Sequence, residues 1–169
     1  MNTSLPKCLV LALALLAGTH LASAQWQVGD RLPAPGAFGL AGRLPDLAGR
    51  VVLVDFWASW CAPCKASFPV LDDLQKKFGP RGFTVLAVNV DDDAEDMARF
   101  LESHPVSFPA AHDAGQKYVA AAGVEAMPSS FLVDRSGTIR FVHVGFHAES
   151  TPAELAGEIE GLLGTEAAP

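Results

Sequence analysis

Two cysteines stand three positions apart in the run Trp60-Cys61-Ala62-Pro63-Cys64-Lys65. Such a pair can exchange disulfides, supply half of a zinc site, or bind a soft metal through thiolates. Structural zinc needs two further Cys or His ligands at paired spacing. The third cysteine, Cys8, lies far upstream, and His104, His112, His143 and His147 form no paired motif. A purely structural disulfide would normally close a longer loop. The pair therefore reads as a redox centre, with no resident metal.

The elements that must carry this centre are visible around it. Val51 to Trp57 (VVLVDFW) is almost continuously apolar, as in a strand buried on both faces of a sheet. After the cysteines, Phe68, Leu71, Leu74 and Phe78 recur at helical spacing until Gly79-Pro80. Thr84 to Val90 (TVLAVNV) is a second buried strand. Strand, helix and strand at this spacing make a βαβ unit with parallel strands. Cys61 is thus delivered to the carboxyl end of a strand and the start of a helix, where open α/β folds place their sites. Free N–H groups and the helix dipole there favour a thiolate, so Cys61 is the expected nucleophile and Cys64, one turn deeper, the resolving thiol. Pro63 sits in the first turn, where its missing N–H costs little. The one charge inside the first strand, Asp55, is expected to have a raised pKa and to suit a proton acceptor for Cys64.

Residues 25–50 are rich in Gly and Pro and suggest an irregular lead-in with one short edge hairpin. Asp91 to Asp96 reads as an acid-rich helix start, with Met97, Phe100 and Leu101 turned inward. An extended piece over 106–111 and a helix over 116–122 follow. Ser129 to Val133 and Thr138 to Val144 flank the turn sequence Asp134-Arg135-Ser136-Gly137, which predicts an antiparallel hairpin. On that hairpin His143 is expected to share a face with Ile139 and Phe141. Thr151-Pro152-Ala153-Glu154 offers an N-cap, a helical proline and a capping-box Glu for a last helix, with a frayed tail over 165–169.

The first 24 residues differ from the rest. Lys7, the apolar run from Cys8 to Ala17, and Ala22-Ser23-Ala24 have the order of a secretory signal peptide, and the run is short of the roughly 20 residues of a membrane span. Cleavage would leave 145 of the 169 residues, enough for one domain over 25–164. It would also leave Cys61 and Cys64 as the only cysteines. The formal charge of −7, with Lys and Arg scattered among acids, gives no basic stripe for nucleic acid.

The run from Val52 to Lys65 resembles thioredoxins. With the leader, an insert near 92–115, and the run Met127-Pro128-Ser129-Ser130-Phe131-Leu132-Val133-Asp134-Arg135-Ser136-Gly137, the chain is similar to the TlpA/ResA family of extracytoplasmic thioredoxin-like proteins. That resemblance implies an α/β thioredoxin-like fold: a mixed central sheet of four or five core strands, helices on both faces, an N-terminal extension and a central insert. It implies a cis bond at Met127-Pro128, facing the cysteines, with Trp60, Ala62, Pro63, Met127 and Pro128 meeting a client segment. Trp60 is expected to pack beside the cysteines and shield them. The implied activity is reduction of a client protein's disulfide by a monomer in the periplasm, with a membrane thiol transporter as electron donor and the Cys61-Cys64 disulfide in place of a cofactor. Clients could include apocytochromes c and copper-site proteins.

Two departures stand out. Ser67 occupies a position where ResA-like members usually have Glu, and Asp55 one where they often have Asn, so the acid has moved onto the strand as in thioredoxin. The Lys that accompanies that acid in thioredoxin is replaced by Ala87. Two rival activities share this fold. A copper chaperone of this fold usually spaces its cysteines by three residues and adds a distal His. A thiol peroxidase puts its reactive Cys in a different, Thr-containing loop.

Overall fold

The computed structural model describes residues 25–164, so the expected signal peptide and frayed tail lie outside the described residues. Six strands form one mixed sheet: β1 (Ala41–Gly42), β2 (Val51–Trp57), β3 (Phe83–Asn89), β4 (Ala110–His112), β5 (Ser129–Val133) and β6 (Ile139–Val144), in the order β1-β4-β3-β2-β5-β6. Four helices accompany them: α1 (Ala62–Phe78), α2 (Ala94–Ser103), α3 (Lys117–Ala122) and α4 (Thr151–Gly164). The expected βαβ unit is formed, with β2 and β3 parallel around α1. So is the antiparallel hairpin of β5 and β6.

Every residue of β2 and β3 is buried, which is why both read as unbroken apolar runs. Successive side chains of β2 serve opposite faces. Trp57 packs against Phe68 of α1 and Phe100 of α2. Its neighbour Phe56 turns the other way, against Trp26, Tyr118 of α3 and Phe131. Helices therefore cover both faces. The N-terminal segment joins the second core layer through Trp26 and through Phe38 against Tyr118.

Four expectations change. The sheet has six strands rather than four or five, because β1 and β4 extend it at one edge. The lead-in makes no local hairpin: β1 pairs with distant β4, and Gly42, at φ +113°, lies so close to the Ala110 carbonyl that a side chain would crowd it. Thr151 begins α4 without acting as its cap, since its hydroxyl accepts from the His147 N–H at 3.0 Å. A register shift between Leu132 and Val133 interrupts the alternation of β6, so Ile139 is buried while Phe141 is exposed. His143 reaches α4 instead, with its Nε2 at 2.7 Å from a Glu158 carboxylate oxygen.

Candidate active site

β2 ends at Trp57 and the chain turns sharply. The Cys61 N–H donates to the Ala58 carbonyl at 3.1 Å, and the Ser59 N–H donates to the Asp91 carboxylate at 3.0 Å. Asp91 was expected in an acid-rich helix start. It is buried beneath this turn, accepting also from Asn89 Nδ2 at 2.9 Å, and its carbonyl accepts from His112 Nε2 at 2.7 Å. The helix α2 starts later, at Ala94, capped by Asp93, whose carboxylate accepts the Glu95 N–H. The turn that presents Trp60 and Cys61 is thus held from below by a buried carboxylate.

Cys61 is the N-cap of α1, and its Sγ accepts the Cys64 N–H at 3.2 Å. The two cysteines are joined, with an S–S distance of 2.06 Å. Cys64 is fully buried and Cys61 is 5% exposed, so what access exists is at Cys61. Pro63 lies in the first turn, and both Ala62 and Pro63 face solvent. Ser67 points back into the helix, its hydroxyl donating to the Cys64 carbonyl at 2.9 Å. Trp60 is 68% exposed and, among the described residues, makes no ring–ring contact.

The Met127-Pro128 bond is cis. β5 follows it directly and runs antiparallel to β2, with Ser129 opposite Phe56, so this loop lies at the same end of the sheet as the cysteine turn. The Pro128 carbonyl accepts the Gly145 N–H at 2.8 Å, which ties the loop to the end of β6. Pro128 is buried and Met127 half-buried.

Asp55, in the middle of β2, faces Ala87 on one neighbouring strand and Ser130 on the other. No lysine takes the place of Ala87. The Ser130 hydroxyl donates to Asp55 Oδ1 at 2.6 Å, while Oδ2 is buried with no hydrogen-bond partner among the described residues. Burial pushes the carboxyl up to about 7, and the Ser130 hydrogen bond opposes that rise in part. A group poised there can hold or release a proton at neutral pH. Asp55, the cysteines and the Met127-Pro128 loop stand out in the sequence, whereas Ser130 and Asp91 do not. Ser130 lies 75 residues from Asp55 in the chain, and only strand register brings the two together.

Residues 27–159 match the family model described as Redoxin. The chain belongs to the Redoxin family. Its relatives include the thiol-disulfide oxidoreductase ResA of Bacillus thuringiensis (strain Al Hakam), 31% identical over 139 residues that cover 80% of this chain and 79% of the relative. A crystal structure assigned to the thiol:disulfide interchange protein DsbE of Chlorobium tepidum superposes with a TM-score of 0.76 at 40% identity, covering 82% of this redoxin and 99% of that chain. The thioredoxin domain of a Bacteroides vulgatus oxidoreductase gives a TM-score of 0.70 at 23% identity, which speaks to the fold alone. This redoxin has the thioredoxin-like fold and is a thiol:disulfide oxidoreductase of the ResA/DsbE type, with Cys61 and Cys64 as its C-x-x-C pair.

Proposed function

We propose that this redoxin reduces disulfides in client proteins outside the cytoplasm, with Cys61 attacking and Cys64 resolving. The observation that carries this reading is the placement of the pair: Cys61 caps a 17-residue helix and has the little exposure there is, while Cys64 is buried behind it. In the dithiol form the first N–H groups of α1 favour a Cys61 thiolate. That thiolate attacks one sulfur of the client disulfide, forming a mixed disulfide and releasing the other sulfur as a thiolate. Cys64 then loses its proton to Asp55 and attacks Cys61 Sγ. The Cys61–client bond breaks, and two electrons have passed to the client, now a dithiol once its thiolates are protonated. The protein is left with the Cys61–Cys64 disulfide.

Trp60, Ala62, Pro63, Met127 and Pro128 form the client-facing surface in this reading. It is supported by the exposed Trp60 ring and by the cis loop at the same sheet end. Oxidising surroundings require an electron donor, and a membrane thiol transporter fits that need. The export-like leader supports a periplasmic or otherwise extracytoplasmic site of action. Among the described residues no helix is long and apolar enough to cross a membrane. Apocytochromes c and copper-site proteins are the clients proposed, by analogy with the family, and no bound group beyond the disulfide is invoked.

The test is the reduction potential of the pair, equilibrated against glutathione. The reading expects a reducing value, near the roughly −270 mV of thioredoxin, whereas a value near about −120 mV would mark an oxidant and overturn the reductase assignment.

A further inference from the structure

We propose that Ser130 is a positioning residue for the resolving step: its hydroxyl occupies one oxygen of Asp55 and leaves the other, Oδ2, to take the Cys64 proton. This rests on the reading of Asp55 as proton acceptor given above. Asp55 and Ser130 are direct partners across the β2–β5 pair, so their side chains leave the sheet on the same face. The contact is 2.6 Å, the length of a charge-assisted O–H···O bond to a carboxylate. Ser130 has one proton to give, and it is given to Oδ1. Oδ2 has neither a donor among the described residues nor exposure, so it is the oxygen on which an incoming proton can reside without breaking a bond already made.

The neighbours leave this task to Ser130. β3 offers Ala87 opposite Asp55, β6 sets His143 opposite Ser130 with its Nε2 engaged by Glu158 of α4 at 2.7 Å, and α4 turns Thr151, Leu155 and Ile159 inward. Phe100 is the buried residue of α2. The titratable groups that α1 buries are Cys64 and Asp72, and Asp72 is engaged by Lys76 at 2.6 Å and by Ser107. Without the Ser130 hydroxyl, burial would act on Asp55 unopposed and the acid would ionise only at higher pH. Ser130 also stands two residues after Pro128, so one strand start carries both the client-facing loop and the partner of the acid.

The experiment uses the reduced full-length chain carrying Cys8→Ser, mixed with an aromatic disulfide whose thiolate absorbs visible light. The first burst of colour reports attack by Cys61 and the second reports resolution by Cys64. The rate of the second phase is followed against pH. Wild type should inflect near pH 7. Ser130→Ala should inflect roughly one unit higher, slowing resolution about fivefold at neutral pH while the alkaline plateau is unchanged. Ser130→Thr, which keeps the hydroxyl, should follow wild type, and Ser130→Val, its isostere without one, should follow Ser130→Ala even if alanine packs poorly. Equal inflections for Thr and Val variants would overturn the role of Ser130. Asp55→Asn should lose the inflection altogether; if it keeps it, the failure lies in the reading of Asp55 instead.

Discussion

Asp55 and Asp113 are both buried carboxylates in the same domain, and their surroundings could hardly differ more. Asp113 lies just after β4 and accepts three backbone N–H groups at the start of α3, from Lys117 at 3.1 Å and from Tyr118 and Val119 at 2.9 Å. Among the described residues Asp55 has a single hydroxyl on one oxygen and nothing on the other. A carboxylate surrounded by backbone N–H donors ties down the start of a helix. One kept short of donors is left sensitive to pH. The difference separates an acid that fixes a helix start from the one proposed as proton acceptor, without reference to where either lies in the sequence.

Replacing each acid should therefore have opposite effects on stability. Asp55 has a folded-state value of about 7, above the ordinary 3.8. Between those values the folded protein keeps a proton that the unfolded chain has released. Stability from this group is complete below about pH 4 and is lost as pH rises through 7, by about 4 kcal/mol in all. Asp55→Asn escapes that loss. Urea unfolding should find it about 4 kcal/mol more stable than wild type at pH 8, the gap closing toward pH 4, while resolution slows on the order of a hundredfold. A variant less stable than wild type at pH 8 would break the contrast.

Asp113→Ala should go the other way. It strands three N–H groups at a buried helix start, and unfolding should show a loss of about 3 kcal/mol at neutral pH. The smallest effect is expected at His143, whose ring meets Glu158 at the edge of the sheet. His143→Ala should cost under about 1 kcal/mol in the same measurement and leave the exchange rate unchanged.

Much of this architecture can be read from the chain because its signals are local. The apolar runs of β2 and β3 declare strands buried on both faces, and the helix after Cys64 declares itself by spacing. Cys61 and Cys64 needed no structure to stand out, and Asp55 was conspicuous as a charge among VVLVDFW. What could not be read depends on register or on distant pairing. Asp91 looked like one acid among several before α2, yet it alone turns under the cysteine loop, because Ser59 and Asn89 supply it with donors there. The two-residue β1 finds its partner in β4, too short and too far away for any pattern to show. Trp60 followed the opposite course: an aromatic beside a turn suggested packing, but the turn carries it out into solvent.

The proposed exchange chemistry depends above all on which sulfur attacks. Reduced full-length protein carrying Cys8→Ser, with either Cys64→Ser or Cys61→Ser added, can be mixed with insulin and the covalent products mapped by mass spectrometry. The Cys64→Ser protein should accumulate a mixed disulfide joined through Cys61, released by dithiothreitol, and the Cys61→Ser protein should form none. An adduct through Cys64 as readily as through Cys61, or no adduct in either, would contradict it.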